Sequence, residues 1–305
     1  ISLPNDDLIY DQLRGLIYAS VPGYAGANGN TITPINPATG AIGFAHNIGI
    51  NPGKLAISRD DQYLYTAIIS EHNVRRFNLQ SQTIDAEFDI QSTTGQTTYV
   101  TDMAVMPDDP TTAVVATSAN LSLRPPALEL LVYKNGAVLR QKSGTGYAIV
   151  ETTDEPSVFY GAAPGVFVKY QIGLPGPNND PFSQAYICEN MIGGYGDVQW
   201  DAGLLFDNSG RVADPQKRSP VATFLSPPEQ PVFLADAKSG HVYFLSGRPS
   251  VAGSTWTITA YDRQTFVPLA SISIPGVKGE TGSFIRWGPD GLAFGTGGDQ
   301  IFLIQ

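Results

Sequence analysis

Four ionisable residues stand at one place in a recurring pattern: Asp7, Lys54, Asp102 and Asp197 each open an apolar run. Three carboxylates and one amine converging from equivalent positions suit a hard cation such as Ca²⁺, which takes several oxygen ligands and completes its shell with carbonyls and water. Asp7, Asp102 and Asp197 are therefore the candidate metal ligands. A plainer reading leaves them at strand starts facing water, with Lys54 neutralising a neighbour. No Asp-x-Asp-x-Asp-Gly loop accompanies them, and Asp60-Asp61 and Asp108-Asp109-Pro110 read as turns.

Nucleophilic and acid–base chemistry has few other carriers. His46, His72 and His241 share no position within the pattern, so neither a histidine metal cluster nor a Ser-His-Asp set is indicated. His72, in a candidate face loop, is the one acid–base candidate. The single cysteine, Cys188, permits no internal disulfide and reads as a small buried apolar residue. The runs Gly193-Gly194-Tyr195-Gly196 and Gly295-Thr296-Gly297-Gly298 precede no helix that would cradle a phosphate. Three segments, VPGYAGANGN, SANLSLRPP and GRPSVAGST, exceed what a hairpin needs, and excess loop length commonly carries function. They hold Tyr24, Asn28, Asn120, Arg124 and Arg248. A stacking face, amides and guanidinium groups suit carbohydrate or carboxylate ligands.

The pattern that positions these groups is a repeat: an apolar strand, a tight polar turn, and a second apolar strand ending in small residues. It begins near residues 7, 54, 102, 148, 197, 231 and 284, at separations of 47, 48, 46, 49, 34 and 53. Each pair is followed by two further strands around turns such as Asn36-Pro37-Ala38-Thr39-Gly40 and Asp262-Arg263-Gln264-Thr265. The period matches the roughly 40 to 50 residues of a propeller blade. Seven four-stranded antiparallel blades are expected, one of them compressed. The last unit runs out after three strands, and Ile1-Ser2-Leu3 supplies the fourth, closing the ring and removing an open edge. The expectation is an all-β, seven-bladed β-propeller as a single domain over residues 1–305, read as a segment of a longer protein.

The runs from Asp7 to Gly40, from Lys54 to Ile68 and from Ser283 to Gln305 resemble bacterial extracellular propeller domains of the YVTN-repeat and surface-layer type. Tyr65-Thr66-Ala67-Ile68 stands in place of the literal YVTN. The resemblance implies a secreted or surface-attached module, often beside immunoglobulin-like domains, and brings no family-wide catalytic residues.

Composition narrows the partners. Asp and Glu total 28 against 18 Lys and Arg, a net charge of −10, which repels phosphate backbones and anionic lipid. Nucleic acid is excluded on that ground, and no apolar run approaches the roughly 20 residues of a spanning helix. The expected function is a non-enzymatic extracellular platform that binds protein or carbohydrate at the cell surface through its loop-rich face. Two alternatives stand beside it: a lactonase- or lyase-like enzyme with a channel-mouth cation and His72 as acid–base group, and a structural spacer.

Overall fold

The structure, a computed structural model, describes the chain except for residues 91–96, 120–127, 144–148, 164–165, 174–182, 190–196, 229–231, 248–254 and 298. The chain forms seven antiparallel sheets, the blades expected from the repeat. The first holds β1 (Asp7–Asp11), β2 (Leu16–Val21), β3 (Thr31–Asn36) and β4 (Ala41–Ile42), with β5 (His46–Asn47) also on β3. The second runs β6 (Pro52–Ile57), β7 (Tyr63–Ile68), β8 (Asn73–Asn78), β9 (Thr83–Asp89). The third is β10 (Tyr99–Val105), β11 (Thr112–Ser118), β12 (Leu128–Lys134), β13 (Ala137–Ser143). The fourth is β14 (Ile149–Thr152), β15 (Val158–Ala163), β16 (Val166–Gln171), β17 (Ser183–Glu189). The fifth is β18 (Val198–Asp201), β19 (Leu204–Asp207), β20 (Arg211–Asp214), β21 (Ser219–Thr223). The sixth is β22 (Val232–Asp236), β23 (His241–Ser246), β24 (Trp256–Asp262), β25 (Pro268–Ile274). The seventh has β26 (Thr281–Trp287), β27 (Gly291–Thr296) and β28 (Gln300–Ile304).

The turns explain why these residues pair as they do. The third strand of four sheets ends in Asn36, Asn78, Asp214 or Asp262, and each side-chain oxygen accepts backbone N–H groups two and three residues on. This side-chain mimic of a backbone turn sends the chain back along its own strand. The compressed fifth sheet saves length in its strands, since β18 to β20 have four residues each and only Ala202 and Gly203, both at positive φ, join β18 to β19.

By compactness the chain divides into two units. One comprises Asp6–Ala163 and Lys169–Ala185, and the other Ile1–Asn5, Pro164–Val168 and Tyr186–Gln305. Within the first, β6 packs beside β1 and β10, and β10 beside β14. Its core includes Tyr65, Phe88 and Tyr133. The Tyr133 hydroxyl donates to Asp89 O at 2.8 Å and that of Tyr65 to Pro110 O at 2.9 Å, tying sheets two and three in both directions. Burial pushes the Tyr65 phenol up to about 12, so it remains a donor at any ordinary pH. Within the second unit, β22 packs beside β18 and β26. Phe224 is the hub of its aromatic core, with ring centroids 5.3 Å from Phe244, Tyr261 and Phe266. Each such ring contributes about 1.5–3 kcal/mol by leaving water.

The seventh sheet is completed by the N-terminus, as the repeat requires. Ser2 bridges Gln300 in antiparallel sense, and Ile1 and Ile301 exchange backbone hydrogen bonds at 2.8 and 2.9 Å. Leu3 is buried, and the Asn5 amide donates to Leu3 O and Gln300 O. A Cβ at Gly295 would occupy the place of the Asn5 side-chain oxygen, so only glycine admits this latch. Leu3→Ala is expected to lower stability by about 2–4 kcal/mol in urea unfolding. Gly295→Ala is expected to lower it by the same route.

One histidine is built into the first sheet. His46 on β5 lies between Phe44 and Phe77, each ring centroid 5.2 Å away. Burial holds its pKa below the ordinary histidine value. The unfolded chain therefore binds this proton more readily, and stability falls as pH drops through about 6.5, the unfolded value. Thermal unfolding from pH 8 to 5 should show that loss, and His46→Gln should flatten it.

Candidate functional site

The long loop Pro22–Asn30 lies in the first unit and carries a short 3-10 turn over Gly23–Asn28. It is pinned to its neighbours through Asn51. The Gly23 N–H donates to Asn51 Oδ1 at 2.9 Å, the Asn51 N–H to Asn30 Oδ1 at 3.0 Å, and the Asn51 amide to Ser70 Oγ at 2.9 Å. The Ile69 N–H donates to Asn51 O. Glu71 accepts from the Ile50 N–H and is held by Arg75, which also reaches Glu87 and Ile48 O. Three segments distant in sequence thus form one braced shelf.

Large apolar groups stand out from that shelf. Tyr24 is 67% exposed, Ile50 52% and Ile69 41%. They flank the residues joined by the Asn51 bonds, so the shelf presents an aromatic and two branched aliphatic side chains beside exposed Asn28. Sequence reasoning found Tyr24 and Asn28 from loop length. It missed Ile50, Asn51 and Ile69, whose signal was two isoleucines placed where turns favour polar residues. Asn120, Arg124 and Arg248 lie outside the described residues.

His72 sits at the edge of the same region, in left-handed backbone at φ 55°. Its Nδ1 lies 3.1 Å from Thr98 O, and its ring meets Tyr99 edge-on at 5.0 Å. A carbonyl only accepts, so Nδ1 carries the proton and Nε2 is the basic atom.

The aligned aspartates have a geometry of their own. Asp7 is buried; its Oδ2 accepts the N–H of Leu55 on the neighbouring inner strand at 3.0 Å, and its Oδ1 accepts that of Leu8. Burial raises its pKa, while Lys54 and the two N–H groups pull the other way. Asp102 repeats the contact two sheets later, its Oδ2 accepting the Val150 N–H at 2.9 Å. Both bonds span 48 residues, the period of the repeat. In the other unit the part falls to Gln199, whose Oε1 accepts the Ala235 N–H while its Nε2 donates to Phe233 O, both at 2.9 Å. Asp197 turns back to accept from Val198 N–H. Asp7 and Asp102 make the same bond to the next sheet, and the Asp197 bond matches the one that Asp7 accepts from the Leu8 N–H. Among the described residues no group of three or more His, Cys, Asp or Glu side chains is placed to hold a metal ion.

With seven antiparallel four-stranded blades, the chain is a β-propeller. No protein-family profile matches it, and no curated protein does. Solved structures do, across nearly its whole length. Hydrazine synthase from Kuenenia stuttgartiensis superposes with a TM-score of 0.70 at 14% identity, over 100% of this chain and 96% of that one. The Myceliophteria thermophila Cps50 (Swd1) β-propeller domain gives 0.69 at 12% identity, covering 99% and 97%. U3-55K gives 0.64 at 14% identity, covering 97% and 89%. At these identities the likeness is one of fold, which hosts many unrelated functions.

The struts make a testable difference. Asp7→Ala and Asp102→Ala should each cost about 1–3 kcal/mol in urea unfolding, because Leu55 or Val150 keeps an unpartnered N–H. A structural acceptor predicts the same loss in EDTA as in CaCl₂. A loss seen only in CaCl₂ would assign these carboxylates to an ion.

Proposed function

We propose that the chain is a non-enzymatic binding module, an extracellular propeller that uses the Asn51-braced shelf as a rigid platform for a protein or carbohydrate partner. The observation that carries this reading is the conjunction of exposed Tyr24, Ile50 and Ile69 with loops locked by side-chain hydrogen bonds. Apolar and aromatic groups in water are an unfavourable place to leave large side chains unless something covers them. A shelf already ordered loses little entropy when it is covered. Tyr24 offers a stacking face and Asn28 an amide, which suits a sugar ring, and the two isoleucines suit an apolar anchor from a protein. The extracellular assignment rests on the sequence resemblance to surface-layer-type propellers, and the net charge of −10 argues against nucleic acid as the partner.

The test is binding of the labelled chain to a printed oligosaccharide array and to a phage-displayed peptide library, followed by variants on each binder obtained. Tyr24→Ala or Ile69→Asp is expected to weaken binding at least about tenfold, and Thr39→Ala, in the turn closing β3 and β4, to leave it unchanged. Binders indifferent to both shelf variants, or no binder on either surface, would overturn the proposal.

A further inference from the structure

The outer strand of the sixth sheet stands apart from its counterparts. Strand β25, Pro268–Ile274, is the last in its sheet, and six of its seven residues are exposed. One side of its backbone pairs with β24 in regular register from Trp256↔Ile274 to Ala260↔Ala270, and a bulge at Leu269 precedes Tyr261↔Pro268. No strand pairs with the other side among the described residues.

An edge like this presents unpaired N–H and C=O groups to any other extended chain, and folded proteins ordinarily blunt it with charge, proline or brevity. Other outer strands do so. Strand β9 carries Asp85, Glu87 and Asp89, and β13 carries Arg140. Strand β21 has Pro220 as its second residue, and β4 and β5 have two residues each. The outer side of β28 is taken by Ser2. In β25 the sequence Pro-Leu-Ala-Ser-Ile-Ser-Ile has no charge and no proline after its first residue. It also leaves Leu269 53% and Ile272 46% exposed.

We propose that β25 is a self-association edge, at which two copies of this chain join by antiparallel pairing of β25 with β25 about a two-fold axis. The sequence is complementary to itself. In the register centred on Ser271, within the regular run Ala270–Ile274, Ala270 of each copy faces Ile272 of the other, so this large side chain meets a small one on the same face of the joined sheet. Pro268 and Pro275, which lack N–H groups, bound the stretch and fix its length. The strand brings no charge to the contact, but each copy carries −10 overall. The joined sheet therefore forms against long-range repulsion that salt screens. A two-fold contact is isologous and closes at the dimer.

Sedimentation equilibrium of the intact chain from about 10 µM to about 1 mM is expected to show a monomer–dimer equilibrium that tightens between about 0.05 and 0.5 M NaCl. Ser271→Pro, which removes a donor, and Ser271→Lys, which sets like charges face to face, should each weaken it at least about tenfold. Their thermal unfolding serves as the check on folding. Ser271→Cys should oxidise to a disulfide-linked dimer, since residues opposed across an antiparallel pair lie within bridging distance, whereas Thr39→Cys should not. A chain that stays monomeric at every concentration and salt level would overturn the proposal. So would a dimer untouched by Ser271→Lys, or one that Thr39→Cys traps as readily.

Discussion

The sheets of this protein are joined by side chains. Within each sheet the strands are joined by backbone hydrogen bonds, but that ladder stops at the sheet's edge, and neighbouring inner strands need another means of coupling. Asp7 and Asp102 provide it by accepting N–H groups of Leu55 and Val150, and Gln199 provides it by clasping Ala235 and Phe233. The chemistry differs between the two units, carboxylate in one and carboxamide in the other, but the geometric task is the same. A buried carboxylate is costly to hold in low dielectric, and Asp7 shows that cost in its raised pKa; two N–H donors and nearby Lys54 offset it. Aromatic packing and the Tyr65 and Tyr133 hydroxyl ties add breadth to these couplings.

That arrangement frees the loops. Once sheets are fixed to one another from within, the segments at the strand ends have little left to stabilise, and the Asn51 network can spend its hydrogen bonds on shaping a surface. The shelf joins Pro22–Asn30 to residues 48–51 and 69–71 while leaving Tyr24, Ile50 and Ile69 in water. Rigid backbone under exposed apolar groups is an economical design for recognition, because the entropy of ordering is met during folding.

Much of the fold was legible in the sequence because propeller blades are local. A strand, a turn and a return strand write themselves as an apolar run, polar punctuation and another apolar run, and the Asn or Asp that closes β3, β8, β20 and β24 marks the same corner each time. The starts of the repeat fall within three residues of β1, β6, β10, β14, β18, β22 and β26. The second sheet begins at Pro52, ahead of the expected Lys54, because proline is tolerated as a strand's first residue. The site was less legible. An aspartate at a strand start looks the same whether it faces water, an ion or a neighbouring N–H, and only the direction of its side chain decides. Loop length pointed to Tyr24 and Asn28, but the bonds that bring Ile50 and Ile69 beside them cross between segments 21 to 28 residues apart in sequence.

The latch at Ile1, Ser2 and Leu3 bears on the order of events during synthesis. Every other sheet is a run of consecutive strands that can form as the chain emerges, whereas the outer strand of the seventh is made before the other six sheets and waits for Gln300 and Ile301. Loop closure over that distance costs little more than over half of it, since the entropy grows only logarithmically with length. The waiting segment holds one leucine, Leu3, that is buried once the sheet is complete. The seventh sheet is thus the one that cannot be finished until the strands of the other six have been made.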